Sequence, residues 1–473
     1  MIDNRDLMPP LLPDDQVALE RAAIDGEALT PDWAKTLIMQ ELHIETATPE
    51  GSLASAVPVL DHLAEMGVNG IWVTPIYEKG PGGNGYGNTG PHRVESALTG
   101  TTDQDACWDA VRRFVEEAHK RSIRVLLDII TWGTMMGAPL KAEHPDWFNG
   151  TAWGNAAFDW SVEEFREWFI DVATRNLLRT GADGYRCDCE PNHTGYTVFN
   201  RVRENCLKAG RKVLIMAEDG CLRDNGCFDL EQDGVLNYIG WDRGAQYKHP
   251  RRFYLDDLNI VESVKTGRAI GCSSLQQKGE GGRYRFYTYC VSNHDFEYSI
   301  TNGNRLVIGY QAIFAPFIPL WYYGAEFNMQ AESKVIYFVP VTKEEKLADP
   351  ANAAFFEDVK RYIRIRRSFP EIFEYYPIDH RDANICAVNA SGSSLQAYAR
   401  YAGGKAILIV GNKDADPLRT TVEIPFEEAA IARGALKITD LMTGRTLAEG
   451  MLECFEAEIP AEHIGVYCVQ SAK

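Results

Sequence analysis

GYRCD at Gly184–Asp188, a helical run from Val198 to Ala209, and VLIMAE at Val213–Glu218 together decide how this chain folds. Each flanking segment is a short apolar run that ends in an acid. The run between them has helical spacing. Strand, helix and strand in that order imply two neighbouring parallel strands with a crossover helix. Side chains of a strand alternate faces, so Arg186 and Asp188 point one way and Cys187 the other. Cysteine suits the side that packs on helices. An arginine beside an aspartate on the opposite side reads as a polar interior, in which the guanidinium holds the carboxylate ionised. Glu218 then stands at the matching level of the next strand. A partly desolvated glutamate can start a reaction cycle protonated, as a general acid.

The same rhythm extends outward in both directions. Thr36–His43, Gly70–Pro75 and Arg124–Ile130 read as the first three strands, with helical spacing at Leu53–Met66 and Cys107–Lys120. Val162–Leu178 reads as the helix that leads into Gly184–Asp188. Val235–Ile239, Phe286–Val291 and Ile318–Gly324 are expected as strands six to eight, and Phe355–Phe369 as a closing helix. Eight such units close into a TIM (β/α)8 barrel. From about Asp379 short strand-like segments alternate with turns such as Gly403-Gly404, the pattern of an all-β sandwich. The expected fold class is therefore α/β, a (β/α)8 barrel followed by a C-terminal all-β domain. The expected division is an N-terminal extension at 1–34 with a short helix at Asp14–Ala23, a barrel at 35–378 and a β-sandwich domain at 379–473.

Composition narrows the function. The chain has 473 residues and a formal net charge of −19. That balance disfavours nucleic acid and anionic membrane surfaces, both of which need clustered Lys and Arg. A neutral substrate such as a sugar is compatible with it. No basic and apolar leader opens the chain, and no run approaches the length of a membrane span. The 11 cysteines are scattered and odd in number, with neither zinc-site nor disulfide-framework spacing. Free thiols in a reducing cytoplasm are the expectation. Oligomeric state is not legible.

A third acid, Asp295 in Val291-Ser292-Asn293-His294-Asp295, ends the expected seventh strand. One carboxylate could attack an anomeric carbon, a second could protonate the leaving oxygen, and a third could stabilise positive charge on the ring. His294 could donate to a sugar hydroxyl. The C-terminal ends of barrel strands are where such enzymes hold their active sites. Taken singly, each acid could instead be a strand-end cap.

These motifs resemble the α-amylase family of glycoside hydrolases, family 13. Gly184–Asp188 resembles its nucleophile motif, Glu218 its general acid, and Asn293-His294-Asp295 its stabiliser motif. Pro319–Glu326 resembles its eighth strand, and Gly85-Tyr86-Gly87 the site of a tyrosine that stacks on sugar. His144–Phe148 and Phe158–Trp160 share its character. The resemblance implies a retaining mechanism on α-glucosidic bonds, with Asp188, Glu218 and Asp295 catalytic, and Tyr86, Arg186 and His294 toward substrate.

The chain departs from the pattern after its third strand. The family motif there reads Asp-x-x-x-Asn-His, and here Asp128 is followed by Trp132 and Gly133. The family's Asn helps to bind a structural calcium. An indole offers no oxygen to a hard cation, so no metal is expected at that place, and no cofactor elsewhere. Gly133 could leave room for a different sugar position, and Trp132 could supply a stacking face or simply pack. Asp128 is expected to pair with Arg186 rather than to react. The insertion that follows is short, which disfavours a large lid domain. Three readings remain open on sequence: a hydrolase of α-glucans or oligosaccharides, a glycosyl-transferring (branching) enzyme with the same residues, and a non-catalytic carbohydrate-binding homologue.

Overall fold

Apolar runs bounded by polar residues become strands in the computed structural model, which describes residues 30–80, 85–188, 194–218, 228–231, 259–266, 276–279, 283–294, 305–328, 343–377 and 380–472. The chain divides into two compact units. One comprises Met1–Gly234, Lys278–Phe286 and Ile336–Thr342, the other Val235–Gln277, Tyr287–Val335 and Lys343–Lys473.

The first unit is built on strands β1 (Met39–Leu42), β2 (Gly70–Val73) and β3 (Arg124–Ile130). A small insertion follows, with β4 (Gly133–Thr134), β5 (Phe148–Ala152) and β6 (Asn155–Phe158). Then come β7 (Gly184–Asp188), β8 (Leu214–Ala217) and β9 (Leu230–Glu231). Strands β1, β2, β3, β7, β8 and β9 pair in that order, all parallel, as an arc of a (β/α) barrel. β2 and β8 are buried at every residue, as strands covered on both faces must be. Helices Val57–Met66, Gln104–Lys120 and Glu163–Thr180 supply the crossovers. Gln104–Lys120 starts on Asp103, whose carboxylate accepts from the Asp105 amide, and it buries Val111, Phe114, Val115 and Ala118 on one stripe. Full burial of such a side chain stabilises by about 1.5–3 kcal/mol.

Two aspartates fasten the starts of these strands. Asp183 accepts from the Val125 amide at 2.9 Å, His119 at 2.7 Å and Arg124 at 3.0 Å. Asp229 accepts from the Ile215 amide at 2.9 Å, Arg203 at 2.7 Å and Thr30 at 2.7 Å. Buried carboxylates with a backbone donor and a cation are fully satisfied, and they have a structural part.

β4, β6 and β5 form a three-stranded antiparallel sheet. An aromatic cluster joins it to the helix Glu163–Thr180. His144 stacks on Trp147 at 3.8 Å, Phe158 stacks on Phe165 at 4.6 Å, and Trp160 meets Phe165 edge-on at 4.9 Å. The motifs His144–Phe148 and Phe158–Trp160 thus become the core of the insertion.

The sixth parallel strand departs from expectation. The residues that pair in parallel with β8 are Leu230 and Glu231, ahead of Val235–Ile239. The segment 235–239 lies outside the described residues, as do the helix expected at Asp14–Ala23 and Asp295.

β10 (Gln276–Gly279) and β11 (Arg283–Cys290) precede β12 (Ile318–Tyr322). In the second unit β11 pairs β12 in parallel from Thr288↔Ile318 to Cys290↔Leu320. The helix Pro350–Ser368 begins on Asp349 and buries Phe355, Phe356, Val359 and Ile363. The C-terminal strands are β13 (Ile385–Val388), β14 (Ala397–Ala402), β15 (Lys405–Asn412), β16 (Leu418–Glu423), β17 (Ala435–Asp440), β18 (Arg445–Met451), β19 (Cys454–Ile459) and β20 (His463–Ser471). One sheet runs β13-β14-β15-β20-β17-β18, and β16 pairs β19. Leu408, Val410, Val422, Leu436, Ile438, Phe455 and Ile459 share its core. β19 alternates exposed and buried residues along its length, as a half-buried strand does.

Candidate active site

Three acids of the first unit converge on one guanidinium. Arg186, on β7, is fully buried. Its Nη1 donates to Asp188 Oδ1 at 2.6 Å and to Asp128 Oδ2 at 3.2 Å. Its Nη2 lies 3.2 Å from Glu218 Oε1. The guanidinium also lies over the Trp72 ring, 4.5 Å from the centroid. Period two explains the grouping. Asp128 and Arg186 are register partners across β3 and β7, and Asp188 follows Arg186 on the same face. Ile130 and Asp188 are the paired last residues of these two strands, and Glu218 directly follows β8. All the groups therefore lie along the C-terminal ends of adjacent parallel strands.

The surroundings hold each acid differently. Asp128 accepts from Trp72 Nε1 at 2.8 Å and from the Tyr86 hydroxyl at 3.1 Å. With Arg186 added, its carboxylate is saturated by donors and held in place. Asp188 has a side chain only 7% exposed, whereas that of Glu218 is 18% exposed. Burial pushes the Asp188 carboxyl up to about 8. Arg186 opposes this, but the charges of Glu218 and Asp128 add to burial. The expectation that the neighbouring guanidinium holds this carboxylate ionised is opposed by burial and by these two charges, and the net direction is upward. One cation thus faces three acids, two of them on strands next to that of Asp188.

Tyr86 is half-buried, and its hydroxyl is spent on Asp128. Burial and the Asp128 charge push that phenol well above its ordinary value, so it stays a donor. Trp72 escaped the sequence reading, which took it only as a strand residue. The available signal was an indole in an all-apolar strand, whose N–H needs a partner.

Trp132 and Gly133 follow β3 directly. Thr131 Oγ1 donates to the Asp188 carbonyl at 2.7 Å, and the Phe158 amide donates to the Trp132 carbonyl at 3.1 Å. The Trp132 side chain is 7% exposed and meets Trp153 edge-on, with centroids 5.6 Å apart. Its indole supplies no oxygen for a hard cation. Among the described residues no group of three or more His, Cys, Asp and Glu side chains is arranged to hold a metal ion.

Gly133 does not open a sugar position. A Cβ there would stand 1.9 Å from the Ala156 carbonyl oxygen, in the β4–β6 pairing, and φ is +156°. The missing side chain is the space in which the insertion pairs with the strand end. Gly133→Ala is expected to cost a few kcal/mol, read by denaturant unfolding, since the obstacle is backbone. Unchanged stability would mean that this pairing is dispensable.

His294 and Asn293 belong to the second unit and are buried at 3% and 2%. Asn293 Nδ2 lies 3.7 Å from Cys290 Sγ, and Ser292 Oγ accepts from the Tyr322 amide at 3.1 Å, which orders the chain just after β11.

A profile of the α-amylase catalytic domain matches residues 29–136, which stops short of Asp188 and Glu218. The malto-oligosyltrehalose trehalohydrolase of Arthrobacter ramosus is 31% identical over 194 residues, covering 38% of this chain and 32% of that protein. The alpha-amylase MalA of Haloarcula japonica is 26% identical over 432 residues, covering 84% of this chain and 58% of its own length. The chain thus spans 32% of the length of the first relative and 58% of the second. Among solved structures, the alpha-amylase of Geobacillus thermoleovorans, complexed with acarbose, superposes with a TM-score of 0.71 at 18% identity, over 93% of this chain and 99% of that one. A likeness at that identity carries the fold, a (β/α)8 barrel followed by C-terminal antiparallel β-sheets.

Proposed function

We propose that the chain is a member of the α-amylase family and, from that premise, a retaining glycoside hydrolase acting on α-glucosidic bonds of α-glucans or oligosaccharides. The observation that carries the reading is the forked grip of Arg186 on Asp188 and Glu218 from adjacent strands. Two carboxyls on neighbouring strand ends, held by one guanidinium, are equipped as an acid and a nucleophile for one scissile bond. Relatives named for malto-oligosyltrehalose, amylase and cyclomaltodextrinase activities agree in substrate class.

Glu218 acts as the proton donor. Asp188 is the anion, favoured by its 2.6 Å bond from Arg186. The Asp188 carboxylate attacks the anomeric carbon while Glu218 gives its proton to the departing oxygen. Glu218, now a base, takes a proton from water, and that water releases the sugar from Asp188. Atoms and protons return to their starting places. Asp128, held by Trp72, Tyr86 and Arg186, keeps the guanidinium in position and does not react. The stabilising role of Asp295 rests on its sequence motif.

A reducing, cytoplasmic setting is part of this reading, supported by the free thiols of Cys107, Cys187, Cys206, Cys290 and Cys386. Among the described residues no helix is long and apolar enough to cross a membrane.

The test has two parts. Maltooligosaccharides incubated with the protein should release reducing ends, and a slow mechanism-based glycosyl inhibitor should esterify Asp188, located by peptide mapping. Transfer products without net reducing ends would replace hydrolysis by glycosyl transfer. A label on any other residue would overturn the assignment of roles.

A further inference from the structure

We propose that Trp153, braced by Trp132, is an aromatic platform that binds a glucose unit of the substrate chain beside the Arg186 cluster. The inference rests on the glucan reading above and extends it to a residue outside the family motifs.

Trp153 lies at the tip of the β5–β6 hairpin, between the paired residues Ala152 and Asn155. It is 71% exposed, although an indole is among the largest apolar surfaces a chain can show. Its backbone is costly too. Trp153 and Gly154 have φ of +49° and +78°, so both central residues of the turn are left-handed. Two-residue turns of that kind favour Asn-Gly, Asp-Gly or Gly-Gly, and a bulky residue at the first place is strained. The chain therefore keeps a strained backbone and an exposed indole at one point. Strain of this sort persists where the surrounding structure holds it and function uses it.

The location supplies the use. Trp132 meets Trp153 nearly perpendicular, at 77°, which fixes the exposed ring. Trp132 is two residues past Ile130, the register partner of Asp188. Thr131 ties that same turn to the Asp188 carbonyl. The hairpin is bound to the strand end at Gly133↔Ala157 and Thr134↔Ala156. The platform thus stands on the C-terminal side of the acids, in the same unit. The electron-rich face of an indole attracts the positive C–H face of a glucopyranose ring. A net charge of −19 favours a neutral occupant over an anionic one.

The test uses the full-length chain carrying Glu218→Gln, titrated calorimetrically with maltoheptaose. Trp153→Ala should weaken binding about five- to tenfold, and Trp153→Phe should restore most of it. Trp153→Gly should lose affinity as well, yet raise the thermal midpoint by about 1–2 °C, because glycine accepts the left-handed backbone. Such a gain separates a binding role from a structural one. Parent affinity in Trp153→Ala overturns the platform. So does unchanged affinity with altered sedimentation, which would make the indole a contact between copies. If the parent binds no maltoheptaose and the unsubstituted protein cleaves no glucan, the functional reading falls, and the platform with it.

Discussion

Asp188→Asn is expected to lower turnover of maltooligosaccharides by about 10⁴-fold or more while leaving the protein folded. The carboxylate oxygen that forms the bond to the anomeric carbon is gone, and an amide is a far weaker nucleophile. Removing a nucleophile from a concerted set costs nearly as much as removing the whole set. Substrate binding should persist, since Asp188 is the reacting group rather than the main contact surface. The loss should therefore appear in kcat rather than KM. Turnover within a few-fold of the parent would rule out the chemistry proposed for this residue.

The same substitution has a second, opposite consequence. Burial, with Glu218 and Asp128 alongside, pushes the Asp188 carboxyl up to about 8, against about 3.9 in an unfolded chain. Between about pH 4 and pH 8 the folded protein holds a proton that the unfolded chain has released. Stability contributed by that proton is complete below pH 4 and is lost as pH rises through 8. Asparagine does not titrate, so Asp188→Asn should not lose it. The variant should be more stable than the parent at pH 8, by roughly 1–3 kcal/mol, with the gap closing toward pH 4. Urea unfolding at the two pH values checks this. A gap that widens toward pH 4 would contradict the direction of the shift. An active-site acid that weakens the fold in its working form fits a site selected for chemistry.

The parts of this site that were legible in the sequence are those set by local pattern. β3 and β7 have the bounds read from their apolar runs, and alternation placed Arg186 and Asp188 on one face. What escaped depends on partners distant in the chain. Gly133 gives no sign by itself that the Ala156 carbonyl fills its missing Cβ position, because that contact arises only when β4 pairs β6. Trp72 donates to Asp128 across β2 and β3, a contact of 56 residues' separation. Leu230–Glu231 is two residues long, too short for any periodicity, and its place is marked instead by Asp229 bonding to the Ile215 amide. β18 is largely exposed, so its apolar residues give no alternating strand signal. The charge balance of the site was half read: the Arg186–Asp188 pair is local, whereas the two further acids that oppose it come from β3 and the end of β8.

Arg186→Met is expected to destabilise the protein by about 3–5 kcal/mol and to abolish turnover. Methionine fills much of the volume and can still lie against Trp72, so the loss isolates the charge. Without the guanidinium, Asp128 and Asp188 remain in a desolvated interior with no cation, and Glu218 loses its partner at 3.2 Å. The protein can relieve this by taking up protons, which raises the Asp188 carboxyl further above its already elevated position. An added upward shift means that more stability is lost as pH rises, so the deficit of the variant should be larger at pH 8 than at pH 5. A smaller ionised fraction of Asp188 also means less nucleophile, which cuts turnover even where the fold survives. Arg186→Lys separates the two effects. Its ammonium restores a positive charge, and most of the stability should return. A point charge on a flexible stem cannot grip carboxyls on two strands at once, so activity should stay low. The decisive measurement is a double-mutant cycle: Arg186→Met in the Asp188→Asn background should cost less stability at pH 8 than in the parent, because one of the stranded acids is already gone. Equal costs in the two backgrounds would mean that Arg186 and Asp188 do not act on one another, and the shared-guanidinium account of this site would fail.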